Sequence, residues 1–422
     1  MALIDRFLAR VVRRGELTLT TANGHRRTFG VPDPHLAPVA IRFTDNKVIR
    51  DILRDVSLGV GESFMDGRLV IDQGDIFQLI ELAQANARFE DGQPSATAPG
   101  LRSRVVGKLR HRLGTRNAAR RAKRNVAHHY DLSDRLYDLF LDADRQYSCA
   151  YYLDPANDLD RAQLDKKAHI AAKLRLESGM RVLDIGCGWG GLALYLHQAT
   201  GVEVLGVTLS EEQLRVARAR AEAAGVADKV RFELRDYRAV TGTFDRIVSV
   251  GMFEHVGPAN YRAFLATCRG LLTPQGVALL HTIGRSDGPG FTDAFTTKYI
   301  FPGGYIPALS EIIHANNGLH WYVSDVEVLR LHYAYTLEAW YQRTVAAREQ
   351  IVALYDERFY RMWCYYLAGS HAAFTWGQLV NFQIQFTRDR YALPITRDYM
   401  VEEERRLRGP GHQGPTFGED RR

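Results

Sequence analysis

Cysteine is scarce in this chain, with four in 422 residues: Cys149, Cys187, Cys268 and Cys364. They lie far apart and form no CxxC pair, which supports neither a disulfide scaffold nor a zinc site. No metal is therefore expected, and a reducing compartment fits best. No secretory leader is expected from the opening residues, and no apolar run approaches bilayer-spanning length. Membrane contact is accordingly expected to be peripheral, from the cytoplasmic side. Acidic residues are absent from Gly100 to Ala127, a stretch that carries ten Lys and Arg. Subtracting these ten from the 55 basic residues leaves 45 against 49 acidic ones, so the formal charge of +6 belongs to one segment.

What remains is an ordinary globular composition, long enough for a large domain plus a smaller one. Met1 to Arg14 places Leu3, Ile4, Phe7, Leu8, Val11 and Val12 on one helical face. Such a helix either lies on a membrane surface or, more commonly, docks on its own domain. Residues 1–98 read as a small α+β domain closed by a helix over Asp75–Ala87. A basic linker follows over 99–127, with Val105, Val106, Leu109 and Leu113 on one face. That pattern suits anionic lipid or nucleic acid phosphates, or a solvated linker. From Arg181 strands and helices alternate regularly, which predicts a doubly wound, mostly parallel α/β sheet over 128–390. Residues 285–320 interrupt it as an insertion covering a site. Helices are expected through Ala373, then a returning edge strand over Leu379–Thr387 and a polar tail over 391–422, disordered after Arg405.

The stretch Val182-Leu183-Asp184-Ile185-Gly186-Cys187-Gly188-Trp189-Gly190-Gly191-Leu192 reads as a buried strand, a glycine turn and a helix start. Glycines there allow close backbone approach to a nucleotide. A dinucleotide site wants an acid at the end of the second strand to hold the ribose. Here that place holds Val207-Thr208-Leu209-Ser210, which argues against hydride chemistry. Ser210-Glu211-Glu212-Gln213 reads as a capping box opening the next helix.

That loop, with Gly206-Val207-Thr208-Leu209-Ser210, resembles the S-adenosylmethionine-dependent methyltransferases, the class I, Rossmann-like fold. More narrowly, the chain is similar to the cyclopropane-fatty-acyl-phospholipid synthases. The matching stretches are Gly61 to Gly67, His129 to Ser133, Tyr147 to Tyr151, Met252 to Gly257, Tyr299 to Gly304, and His332-Tyr333 with Thr336-Leu337.

The resemblance implies methylene transfer from S-adenosylmethionine to a double bond in a phospholipid acyl chain, through a carbocation that bound bicarbonate deprotonates. It implies a bicarbonate site of Cys149, Glu254, His281, Ile283 and Tyr333, with backbone groups contributing at Cys149 and Ile283. It implies cofactor contacts from Tyr147, Ser148, Gly186, Gly188, Thr208, Gln213 and Tyr237. Ser370 stands in a helix where relatives often carry a cysteine; Cys364 is offset in register, so no thiol nucleophile is expected. Cys187 is expected to be a packing residue, and His255 is open between structure and function. Of the ten aromatics Phe291, Phe295, Tyr299, Phe301, Tyr305, Trp321, Tyr322, Trp340, Tyr365 and Tyr366, about a third are expected to line a pocket. Expected partners are an anionic phospholipid surface and unsaturated acyl chains; a homodimer is compatible with the sequence. Nucleic acid is not expected, since Ser249 to Glu254 lacks the Asn/Asp-Pro-Pro-Tyr run of amino-group methylases. The nearer alternative is a branched rather than a ring product, and a non-enzymatic lipid-binding role is the third.

Overall fold

The computed structural model describes residues 3–92 and 133–408. The basic linker, the His129–Leu132 part of the His129 to Ser133 stretch and the end of the tail lie outside the described residues. The first part begins with helix α1 (Leu3–Val11), followed by β1 (Leu17–Thr20), β2 (Arg26–Phe29) and β3 (Val39–Phe43). Helices α2 (Lys47–Arg54) and α3 (Val56–Met65), strand β4 (Leu69–Gln73) and helix α4 (Ile76–Ala85) complete it. Its sheet has the order β2-β1-β3-β4. Helix α1 buries Ile4 and Leu8 in this core and leaves Leu3 outside, so its apolar stripe serves the domain itself.

The second sheet is built from β5 (Arg181–Ile185), β6 (Glu203–Thr208), β7 (Val230–Leu234), β8 (Phe244–Val250), β9 (Leu272–Arg285), β10 (Tyr322–Leu329) and β11 (Leu379–Thr387). Their order is β10-β11-β9-β8-β5-β6-β7. Strands β5 to β9 pair in parallel, while β11 and β10 add antiparallel. The order reverses beside β5, which pairs with β6 on one side and β8 on the other. That reversal opens a crevice at the strand ends where ligands bind in such sheets.

Three expectations need correction. Leu379–Thr387 is not an edge strand: it lies between β9 and β10 and is buried along nearly its whole length. The edge is β10, over residues expected to be helical. Its Val323, Val326 and Val328 suit a pleated strand, and pairing with β11 secures it. The polar tail begins later than expected, because Asp398–Arg408 is a helix. It docks through Glu404 against His169 at 3.2 Å and Arg408 against Asp165 at 3.3 Å.

The two parts share one apolar core rather than meeting at a thin interface. Gly61 of α3 shows how close they come: a Cβ there would lie 2.6 Å from Phe295 and 2.8 Å from Tyr365. Ser57 Oγ donates to Asp293 at 2.7 Å, and Tyr365 donates to the Ser57 carbonyl at 2.9 Å. The N-terminal part therefore reaches the neighbourhood of the insertion directly.

Candidate active site

The glycine loop after β5 turns with Gly186 at φ +83°, where a Cβ would also press on Met252 at 2.9 Å. Gly186 and Cys187 donate their N–H groups to the Val207 carbonyl at 2.9 and 3.1 Å, which ties the loop to the end of β6. All seven expected cofactor residues line one cavity at this point. Thr208 donates to Gln213 Oε1 at 3.0 Å and accepts from the Ser210 N–H at 3.2 Å. The capping box is therefore half formed. Ser210 Oγ accepts from the Gln213 N–H, but the Gln213 side chain turns toward Thr208 and the cavity wall. Tyr237 is held edge-on by Phe264, ring centres 5.2 Å apart. Cys187 also lines this cavity, and burial pushes its thiol well above the ordinary range, as a packing role requires.

Two further residues of this cradle escaped the sequence reading. Asp184 is buried at the end of β5 and lines the cavity, and its Oδ2 has no hydrogen-bond partner among the described residues. Burial pushes its carboxyl up to about 7, with Lys166 pulling the other way. Lys166, on the helix Leu159–Leu174, is fully buried and donates to Gln146 Oε1 and Ser148 Oγ, both at 2.8 Å. Desolvation lowers its ammonium to about 8. The signal was available in sequence as a lysine on a helix face otherwise formed by Leu159, Ala162, Gln163 and Ile170. A buried carboxylate with an unpaired oxygen fits a cationic ligand, and the sulfonium and amino groups of S-adenosylmethionine are of that kind.

Against this cradle lies a larger cavity of about 1060 Å³. It is lined by Cys149, Glu254, His281, Ile283, Tyr333 and Ser370, so all six expected residues share one chamber. Tyr147, Ser148, Gly251 and His255 belong to both cavities and form the wall between them. Glu254, in a short turn after β8, accepts from the Ile283 N–H at 2.6 Å through Oε1, while Oε2 has no partner among the described residues. Burial raises its carboxyl to about 6.

His281 is held between Asn381 at 2.7 Å and Gln383 at 3.1 Å, both from β11. A neutral imidazole donates at one nitrogen and accepts at the other, so one of these amides presents oxygen to the ring. Burial holds the imidazole far below its ordinary value, hence neutral. His255 is also kept neutral, lowered to about 4 by burial.

Cys149 stays a thiol, pushed above its ordinary value by burial. Cys364 lines neither cavity, and its thiol is raised to about 12, again by burial. Six of the ten aromatics line the larger cavity, twice the expected share: Phe291, Phe295, Phe301, Tyr305, Tyr365 and Tyr366. Four of the six come from the insertion, which carries a π-helical turn at Thr296–Ile300, and Tyr365 and Tyr366 come from the helix Glu357–Thr375.

Residues 117–384 match the family described as mycolic acid cyclopropane synthetase. The cyclopropane-fatty-acyl-phospholipid synthase of Escherichia coli (strain K12) is 41% identical over 352 residues, covering 83% of this chain and 88% of that protein. A probable fatty acid methyltransferase of Pseudomonas putida is 38% identical over 400 residues, 91% of this chain and 96% of that one. Among solved structures, mycolic acid cyclopropane synthase CmaA1 complexed with SAH and CTAB superposes with a TM-score of 0.60 at 34% identity. It covers 63% of this chain and 97% of its own.

Proposed function

The chain belongs to the cyclopropane synthase family of S-adenosylmethionine-dependent methyltransferases, and from that premise we propose that it adds a methylene group across the double bond of an unsaturated phospholipid acyl chain. The observation that carries this reading is the wall of Tyr147, Ser148, Gly251 and His255 shared by a polar cradle and a large aromatic chamber. A methyl donor in one cavity faces an apolar chain in the other.

When bound, S-adenosylmethionine supplies an electrophilic methyl carbon on a sulfonium. Asp184, Thr208, Gln213 and Tyr237 would hold it, with Lys166 fixing Ser148 from beneath. The alkene π electrons form the new carbon–carbon bond as the sulfur–carbon bond breaks. The electron deficit then sits on the acyl chain, where the faces of Phe301, Tyr365 and Tyr366 stabilise a cation away from water. Loss of one proton from the transferred methyl closes the ring, so the net addition is CH₂ and the proton leaves with a base.

Bicarbonate would be held by Glu254 and Tyr333 with the groups at Cys149 and Ile283, and it would supply that weak base. Bicarbonate carries one O–H, which the Glu254 oxygen left without a partner among the described residues would accept, while His281 has both ring nitrogens taken by Asn381 and Gln383 and would shape the site as a neutral ring. The Ile283 N–H is already given to Glu254, so that contact orients the carboxylate rather than standing empty.

The likeness to a probable fatty acid methyltransferase favours a second reading, in which the cation loses a different proton and leaves a branch. We further propose peripheral association with anionic phospholipid on the cytoplasmic face, through the basic segment 99–127. No helix among the described residues is long and apolar enough to cross a membrane. Purified protein incubated with methyl-labelled S-adenosylmethionine and vesicles of unsaturated phospholipid should place label in the extracted lipid. Cofactor binding without label in lipid would refute the function.

A further inference from the structure

We propose that helix α4 of the N-terminal part is a specificity-determining wall of the acyl chamber. On this view it sets which double-bond position along a chain reaches the reacting groups. The inference rests on reading the chamber as an acyl site.

Ile80 and Gln84 stand one turn apart on α4, so they share a face. Both are buried, and both line the cavity that also contains Glu254 and His281. From the catalytic part, the helix Glu357–Thr375 contributes the rings of Tyr365, Tyr366 and Phe374 and, between them, the small Gly369, Ser370 and Ala373 to the same lining. The three small residues leave a groove among the rings, and α4, which packs on this helix, adds Ile80 and Gln84 to the wall. Ser370 is then a groove residue, which accounts for its place in the chamber without giving it chemistry.

The wall is rigid. Asp75 caps α4 by accepting from the Gln78 N–H at 2.8 Å, and its other oxygen accepts from Tyr341 at 3.3 Å. Phe77 packs on Tyr341 and His371, with ring centres 4.8 and 4.4 Å apart. Tyr341 shares its helix, His332–Ala346, with Tyr333, and His371 neighbours Ser370. Helix α4 is thus fastened to the two helices that carry the chamber's far side.

The wall also lies outside the family match, which begins at residue 117. CmaA1 is matched over 97% of its length by only 63% of this chain. Glu254 and His281 thus fall inside the matched range, whereas Ile80 and Gln84 stand in the part of the chain before it. A chain held by apolar walls is registered by volume, and one methylene in such a pocket changes discrimination by about 10-fold or more.

The test uses the full chain with two phosphatidylglycerols bearing eighteen-carbon chains, the cis double bond at carbon nine in one and carbon eleven in the other. Ile80→Trp narrows the chamber and Ile80→Ala widens it. The ratio of kcat/KM for the two lipids should move in opposite directions in the two variants, by on the order of 10-fold between them. Binding of S-adenosylhomocysteine should stay unchanged, which separates the wall from the cofactor cradle. A ratio equal to wild type, or equal losses on both lipids, would overturn the proposal. Should Ile80→Trp fail to fold, Ile80→Ala alone reads the ratio against wild type. A wild-type protein that modifies neither lipid sinks the function reading itself, whereas an unmoved ratio sinks only the wall.

Discussion

Replacing Glu254 with Gln should raise stability while nearly abolishing turnover. The carboxyl is buried and raised from 4.5 to about 6, with burial the largest cause. A folded-state value above the unfolded one means that ionisation at neutral pH costs stability. The cost is absent below the unfolded value, where both states carry the proton. It grows between 4.5 and about 6 and is complete above that. The gap corresponds to about 2 kcal/mol at pH 7.5. Gln keeps the shape, and its oxygen can still accept from the Ile283 N–H, so most of that cost is relieved. Thermal melting should show Glu254→Gln above wild type at pH 7.5 and level with it at pH 4.5. Turnover should fall about 100-fold or more, the scale for losing general-base catalysis when the group that holds the base is removed. Affinity for S-adenosylhomocysteine, which binds across the wall, should be unchanged. Turnover close to wild type, or a stability gain that persists at pH 4.5, would refute the assignment of Glu254 to the site.

The remaining predictions concern the cofactor and the membrane. Burial keeps a proton on Asp184 up to about 7 against the pull of Lys166, and a cationic cofactor beside it must displace that proton. The Kd for S-adenosylmethionine should therefore weaken about tenfold for each pH unit below 7 and level off above it, while Asp184→Asn abolishes the dependence. Calorimetric titration across this range checks it, and a parallel pH profile in the variant would count against Asp184. Exchanging the ten Lys and Arg between Gly100 and Ala127 for Gln should release the protein from anionic vesicles at low salt. Sedimentation with vesicles reads the effect, and unchanged binding would return that segment to a plain linker.

Much of the site was legible because its chemistry is written in local order. The loop after β5, the Thr208–Gln213 pair and Glu254 each follow a strand end, where sequence pattern and sheet topology agree. Other features were set by contacts between distant segments. Leu379–Thr387 has the pattern of a strand, but only pairing with β10 on its far side makes it internal. Gln213 fits a capping box by spacing, yet Thr208, five residues earlier, takes its side chain. Lys166 sits beneath Ser148 because two segments cross there. The extra aromatics of the chamber, and the reach of Ile80 and Gln84 into it, depend on how the insertion and the N-terminal part fold against the sheet. No short stretch of sequence records that docking.

The central claim is that a ring-forming carbon is delivered to a phospholipid chain, and proton NMR of the lipid tests it most directly. After incubation with methyl-labelled S-adenosylmethionine and unsaturated phospholipid vesicles, the extracted lipid should carry label and show the high-field ring protons of a cyclopropane as the vinyl signals decline. Label appearing only in methyl or exocyclic methylene signals would contradict ring formation, and unlabelled lipid beside demonstrably bound cofactor would contradict the function.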